Sequence, residues 1–141
     1  MKSFAGYEDI RAALPDWASD EVRQDSTGKF TLHDSVEEAL LFWMLVKADY
    51  QASYKKLLVS AKVVDYGAGW GRMTRFIGKD VPGAQIFATD PNPIFADIYE
   101  QCRLPGRMAR TDWLSAEKTG IEGADLLISF SIFTHASDLL V

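Results

Sequence analysis

A chain of 141 residues, 48% hydrophobic and 25% charged, carries enough apolar material for one buried core, and its net charge of −5, spread over both halves, leaves no basic tail or stripe to draw it to nucleic acid. Cys102 is the single cysteine, which excludes an internal disulfide and a thiolate-built metal cluster, and no metal site is expected. Charged residues follow Met1 closely (Lys2, Glu8, Asp9, Arg11), and the longest apolar run, Ala39 to Val46, falls far short of the roughly 20 residues that span a bilayer, so a cytoplasmic protein with no membrane segment is expected.

Residues 1–60 read as an N-terminal helical segment. Tyr7 to Leu14 is a short amphipathic stretch stopped by Pro15. Asp16 is placed to cap a second turn through Val22, and Ser26-Thr27-Gly28 marks a loop. The strongest helix is expected to start at Asp34 or Ser35, because Ser35 and Glu38 have the spacing of a capping box, in which each side chain satisfies the other's backbone N–H. Val36, Ala39, Leu40, Trp43 and Met44 then recur on one face, widened by Phe42 and Leu45, and the pattern continues, bent or broken, to Leu58.

Residues 61–141 have a different texture. Lys62 to Tyr66 is a short β-branched strand that runs into Gly67-Ala68-Gly69-Trp70-Gly71, and Arg72 to Lys79 has helical spacing. Gln85 to Thr89 is a second strand, closed by Asp90-Pro91-Asn92-Pro93. A helix over Ile94 to Arg103 ends at Leu104-Pro105-Gly106, a weak strand follows at Arg107 to Thr111, and Ala124 to Phe130 is the most apolar strand. Strands alternating with helices imply right-handed crossovers and a parallel sheet, so the fold class is α/β. Arg72, Arg75 and Lys79, and likewise Arg103, Arg107 and Arg110, read as solvated faces.

The glycine run is the most informative local feature. Gly67 permits a sharp turn with φ > 0, Gly69 removes the Cβ that would keep a ligand off the backbone, and Gly71 lets the helix start pack closely on the strand. Dinucleotide sites use glycines at positions one, three and six, which brings a pyrophosphate to the helix N-terminus. Here position six is Arg72, the third glycine comes one residue early, and Asp65 sits two residues before the first. An acidic group there suits a ligand that presents an ammonium, so the spacing favours S-adenosylmethionine over NAD. The bland reading of the glycines is a tight turn, and Asp90-Pro91-Asn92-Pro93 can likewise be only a turn.

Val63 to Arg72 resembles the first motif of class I S-adenosylmethionine-dependent methyltransferases, and Ser131-Ile132-Phe133-Thr134-His135 is similar to the fourth-strand motif of a bacterial subgroup. The resemblance implies a Rossmann-like sheet with the order 3-2-1-4 within this chain, from a full seven-stranded order of 3-2-1-4-5-7-6. It implies S-adenosylmethionine as cofactor and S-adenosylhomocysteine as product. Asp65 would organise the loop and accept, directly or through water, from the methionine ammonium, beside Tyr66 and the Gly67-Ala68-Gly69 backbone, with Gly71 at the helix start. Asp90 would accept from both ribose hydroxyls, with Pro91 and Asn92 flanking the adenine. Asp112 would accept from the adenine amino group, with Trp113 meeting the base; a plain helix cap and a core residue are their other readings. Ser129 and Phe130 would line the methionine and the methyl-transfer side. Tyr66 and Trp70 would offer ring faces to the sulfonium or pack between helix and sheet. His135 is the candidate general base, or else a helix cap or a neighbour packed on Phe133; His33, in a polar loop before a helix, has less claim.

The sequence supplies four of the family's seven strands. The fourth is therefore expected to be an exposed apolar edge, as in a fragment of a longer enzyme, or else completed by a second chain or by self-association. Residues 61–141 are read as the cofactor-binding core. Three functions stay open: a methyltransferase with an unidentified acceptor, an NAD(P)-dependent oxidoreductase, and a cofactor-binding module without activity.

Overall fold

The computed structural model describes residues 17–27, 32–111 and 119–130. Four helices and four strands are defined there: α1 (Asp20–Thr27), α2 (Leu32–Tyr54), β1 (Val63–Tyr66), α3 (Arg72–Asp80), β2 (Ile86–Asp90), α4 (Ile94–Gln101), β3 (Arg107–Arg110) and β4 (Leu126–Ile128). The strands form one sheet in the order β3-β2-β1-β4, with every pairing parallel. This is the α/β fold and strand order expected from the sequence.

Register fixes which side chains share a face. Val63 pairs with Ile86 and Leu126, and Phe87 pairs with Arg107. Ile86 packs with residues of α2 and α3, while Ala88, two positions on, packs with residues of α4. Side chains two apart on a strand point the same way, so α2, α3 and α4 all cover one face of the sheet. The reason is the crossover rule: β1-α3-β2-α4-β3 steps across the sheet in one direction, and right-handed connections then stay on one side.

The N-terminal helices depart from expectation in detail. α1 begins at Asp20 and is capped by Ser19, whose Oγ accepts the Val22 N–H at 3.4 Å; it continues through Ser26 and Thr27, which the sequence suggested were loop. α2 starts at Leu32, so Ser35 lies inside the helix and is buried, and Glu38 reaches Arg72 instead of turning back: the capping box does not form. No Gly or Pro interrupts residues 32–54, and the helix runs unbroken to Tyr54, ending where Lys55 turns left-handed with φ 52°.

Val36, Ala39, Trp43 and Tyr50 bury one stripe of α2 against Met73, Phe76 and Ile77 of α3 and the strand residues Val63, Ile86 and Ile128. Polar contacts lock the two helices: Trp43 Nε1 donates to Asp80 Oδ2 at 2.8 Å, and Lys47 Nζ to Asp80 Oδ1 at 2.7 Å. The second cluster joins Ala18 and Trp17 to Trp70, Ile98, Tyr99 and Leu104. Among the described residues no helix is long and apolar enough to cross a membrane.

Candidate functional site

The carboxyl end of β1 leads straight into the glycine loop, and the loop is pinned to β2. The N–H groups of Gly67 and Ala68 both donate to Thr89 O, at 2.8 and 2.9 Å, and the Gly71 N–H returns to Ala68 O at 2.8 Å. The Gly69 N–H donates to Asp90 Oδ2 at 3.0 Å, while Asp90 Oδ1 accepts the Asn92 N–H at 2.9 Å. Asp90, 21 residues after Gly69, thus braces both the loop and the turn that follows β2. It is nearly buried, and burial raises its pKa while the two N–H donors pull the other way.

Two glycines need their lack of a side chain for different reasons. Gly69 has φ 52°, and a Cβ there would find only Phe95 Cζ, at 4.0 Å. The outer surface of this peptide is open to a ligand. Gly71 has φ 76°, and its Cβ would collide with Leu104 and sit 3.2 Å from Arg75 Nη1. The close approach that Gly71 permits is therefore to the turn before β3, not to its own strand as the sequence suggested. Pro91 and Asn92 lie in that β2–α4 connection. Asn92 is exposed, and its Oδ1 accepts the Ile94 N–H at 3.2 Å, so these residues do form the turn that their types favour.

Asp65 lies beneath the loop, 1% exposed, with Oδ2 accepting the Thr74 hydroxyl at 2.6 Å. Burial pushes its carboxyl up to about 6, and the charge of Asp90 adds to the rise; Thr74 and Arg72 oppose it. The pair of carboxylates under the loop makes this end of the sheet favourable to a ligand cation.

Three more polar groups sit at the same ends of the strands. Thr89 Oγ1 in β2, Thr111 Oγ1 just past β3 and Ser129 Oγ just past β4 are buried and have no hydrogen-bond partner among the described residues. Thr89 is paired with Tyr66, which is half-buried. Buried hydroxyls ordinarily find a partner; these three fit a polar molecule lying across the strand ends. Phe130, by contrast, is packed: its ring is 4.6 Å from Phe42, and the Arg72 guanidinium lies 4.5 Å over it.

Sequence reasoning missed Arg75 and Thr74. Arg75 is 1% exposed, not solvated: Nη1 donates to Trp70 O at 2.6 Å and to Gly71 O at 2.8 Å, and the guanidinium lies 4.8 Å from the Trp17 ring and 5.2 Å from that of Trp70. Burial pulls it down to about 10, so it remains charged at neutral pH. It holds the carbonyls that exit the glycine loop. A signal was available: Met73, Phe76 and Ile77 surround Arg75 on a helix of nine residues, leaving little of it to face solvent. Arg72 also departs from the solvated reading, its side chain 12% exposed, whereas Lys79, Arg103 and Arg107 are exposed as expected. Trp70 is buried against Trp17 with ring centroids 6.0 Å apart, which resolves its role in favour of packing. Asp112, Trp113 and His135 lie outside the described residues. His33 is in the first turn of α2 rather than in the loop expected before it, because the helix starts at Leu32.

No protein-family model and no curated protein matches the chain. Solved structures do. The plantazolicin methyltransferase BpumL in complex with SAH superimposes with a TM-score of 0.60 at 18% identity, over 86% of this chain and 46% of that one. The same enzyme with a pentazolic desmethylPZN analog and SAH gives 0.54 at 16% identity, over 76% and 39%. A TehB-like SAM-dependent methyltransferase from Corynebacterium glutamicum gives 0.46 at 23% identity, over 67% and 54%. The chain therefore spans 39–54% of the length of these structures. Its strand order, its glycine loop and the BpumL superpositions together establish that it has the Rossmann-like fold of the S-adenosylmethionine-dependent methyltransferases.

Proposed function

We propose that this chain binds S-adenosylmethionine across the glycine loop and is the cofactor-binding part of a methyltransferase. The observation that carries the reading is how the loop spends its donors. The N–H groups of Gly67, Ala68, Gly69 and Gly71 all have acceptors within the protein, and two carboxylates lie beneath them. A pyrophosphate needs free N–H donors and a positive environment; this loop commits those four N–H groups to the protein and places negative charge below. A ligand with an ammonium and a sulfonium meets the opposite balance. The open Gly69 peptide suits the aminoacyl chain, and the SAH carried by BpumL is consistent with this choice.

In this reading the field of Asp65 favours the methionine ammonium. Asp90 uses one lone pair of each oxygen on the loop and the turn and keeps the others for the ribose hydroxyls. Ser129 offers its unsatisfied hydroxyl beside the amino-acid end. Asp112 and Trp113 would meet the adenine, and His135 would take a proton from an acceptor that must lose one to attack. Bound there, the cofactor supplies an activated methyl group; the chain's residues align it and shield it from water. The acceptor would be recognised by elements outside this shared core.

Calorimetry of the chain with S-adenosylmethionine, S-adenosylhomocysteine and NADH tests the reading. Binding of the two sulfur compounds with no heat from NADH is expected. Tight NADH binding with no response to either sulfur compound would make the protein a nicotinamide-dependent oxidoreductase.

A further inference from the structure

Arg72 opens α3 directly after Gly71 and is seated at the carboxyl ends of β1 and β4. Its guanidinium stacks on Phe130 at 4.5 Å, and Phe42 packs on the same ring. Nη1 meets Glu38 Oε2 at 3.0 Å, and Asp65 is close enough to interact electrostatically. The two partners of the ion pair are unequally held: the Arg72 side chain is 12% exposed and that of Glu38 is 48% exposed. The cation is built in, whereas the anion reaches it from the surface of α2 and engages it through one oxygen. Such a half-exposed contact is weak, because water screens the anion and the long side chain must be held in one geometry. Arginine, however, is suited to a two-point grip on a planar anion, and aromatic flanks strengthen that grip.

We propose that Arg72 is a receptor for a ligand carboxylate, with Glu38 as the placeholder that the ligand displaces. Whether the carboxylate comes from the amino-acid end of the cofactor or from the methyl acceptor rests on the cofactor reading above. A single negative charge fits better than a phosphate dianion, because Glu38 and Asp65 already lie near this one cation. The planar group would meet the guanidinium at the edge that Glu38 now occupies, while Phe130 stays stacked on the guanidinium face.

The two halves of the ion pair give opposite predictions, which a purely structural pair would not. Calorimetry is carried out on the chain, Arg72→Gln and Glu38→Gln with three probes. S-adenosylhomocysteine carries the carboxylate, 5′-methylthioadenosine lacks the whole amino-acid end, and benzoate is a carboxylate alone. Arg72→Gln should weaken the carboxylate-bearing probe by about tenfold or more, the scale of a lost hydrogen bond to a charged group. Glu38→Gln should strengthen the same probe several-fold, by removing the internal competitor. Neither change should move 5′-methylthioadenosine.

If S-adenosylhomocysteine shows the pattern, the carboxylate is the cofactor's; if only benzoate shows it, with or without S-adenosylhomocysteine present, the carboxylate is the acceptor's. Unchanged affinities in a folded Arg72→Gln, weakened binding in Glu38→Gln, or no response of either carboxylate to these changes overturns the proposal. Should Arg72→Gln fail to fold, the surface change Glu38→Gln still decides by its sign. Absence of binding by both adenosine compounds refutes the cofactor reading instead, while benzoate still reports on Arg72.

Discussion

Asp90 places both carboxylate oxygens against backbone N–H groups, so its replacement tests bracing and binding together. Asp90→Asn keeps one acceptor oxygen but turns an amide NH₂ toward either Gly69 or Asn92, donor facing donor. A loss of about 1–3 kcal/mol in urea-determined stability is expected, the scale for an unsatisfied buried group. If Asp90 also holds the ribose, affinity for S-adenosylhomocysteine should fall by about tenfold or more. Lower stability with undiminished affinity would mean that the side chain only braces the loop.

Asp65 makes a prediction in pH. Its folded pKa of about 6 lies above its unfolded value of 3.8, so the folded chain binds more protons between those values. Its contribution to stability is complete below about pH 4 and is lost as pH rises through about 6. Asp65→Asn keeps an acceptor for Thr74 and cannot ionise. Its advantage over the parent chain should grow from about pH 4 to 6 and level off at up to about 3 kcal/mol. Urea titrations across this range that run parallel for the two proteins would contradict the assignment. A ligand ammonium near Asp65 would reverse part of the cost by favouring the carboxylate, which ties the residue to cofactor binding. The place of both aspartates was legible from their spacing around the glycines. Thr74 was not, because a threonine inside a helix gives no sign of which buried acceptor it will meet.

At the scale of elements, α2 and α3 are held by Asp80, which accepts from a buried indole and from a partly exposed ammonium. Asp80→Ala should cost about 2 kcal/mol, because the Trp43 N–H is left buried without an acceptor. Lys47→Ala should cost less than about 1 kcal/mol, since the ion pair is partly solvated. Equal effects on thermal unfolding would show that the indole bond carries no special weight. The boundary of α2 also shows why local patterns mislead. Ser35 and Glu38 have capping-box spacing, yet Leu32–Tyr54 is one helix, because Glu38 meets the Arg72 cation across the interface and Ser35 is covered there. A tertiary charge partner outcompeted a local N–H.

At the scale of the whole sheet, the helices described lie on one face, and among the described residues β4 forms one of the edges. Leu127 on this strand is 62% exposed, beside the buried Val64 with which it pairs. An apolar side chain on a strand edge invites pairing with another chain. Leu127→Lys should therefore lower any concentration-dependent association seen by sedimentation velocity and leave the melting temperature within a few degrees. Identical sedimentation of the two proteins would sink this expectation.

The sequence by itself determined the parallel α/β alternation, the strand–glycine–helix unit and the positions of Asp65 and Asp90. Those features depend on periods of two and about 3.6 residues and on spacing along the chain. Only the tertiary structure decided which polar groups are buried. α3 is enclosed by α2 and the sheet and, on its other flank, by Trp17 and Trp70, so Thr74 and Arg75 are sealed in although its charged residues are spaced like a solvent face. The same enclosure sets Arg72 against Phe130 and Glu38. Periodicity records which face a helix turns to one neighbour; it cannot record that a second neighbour, distant in sequence, will cover the other.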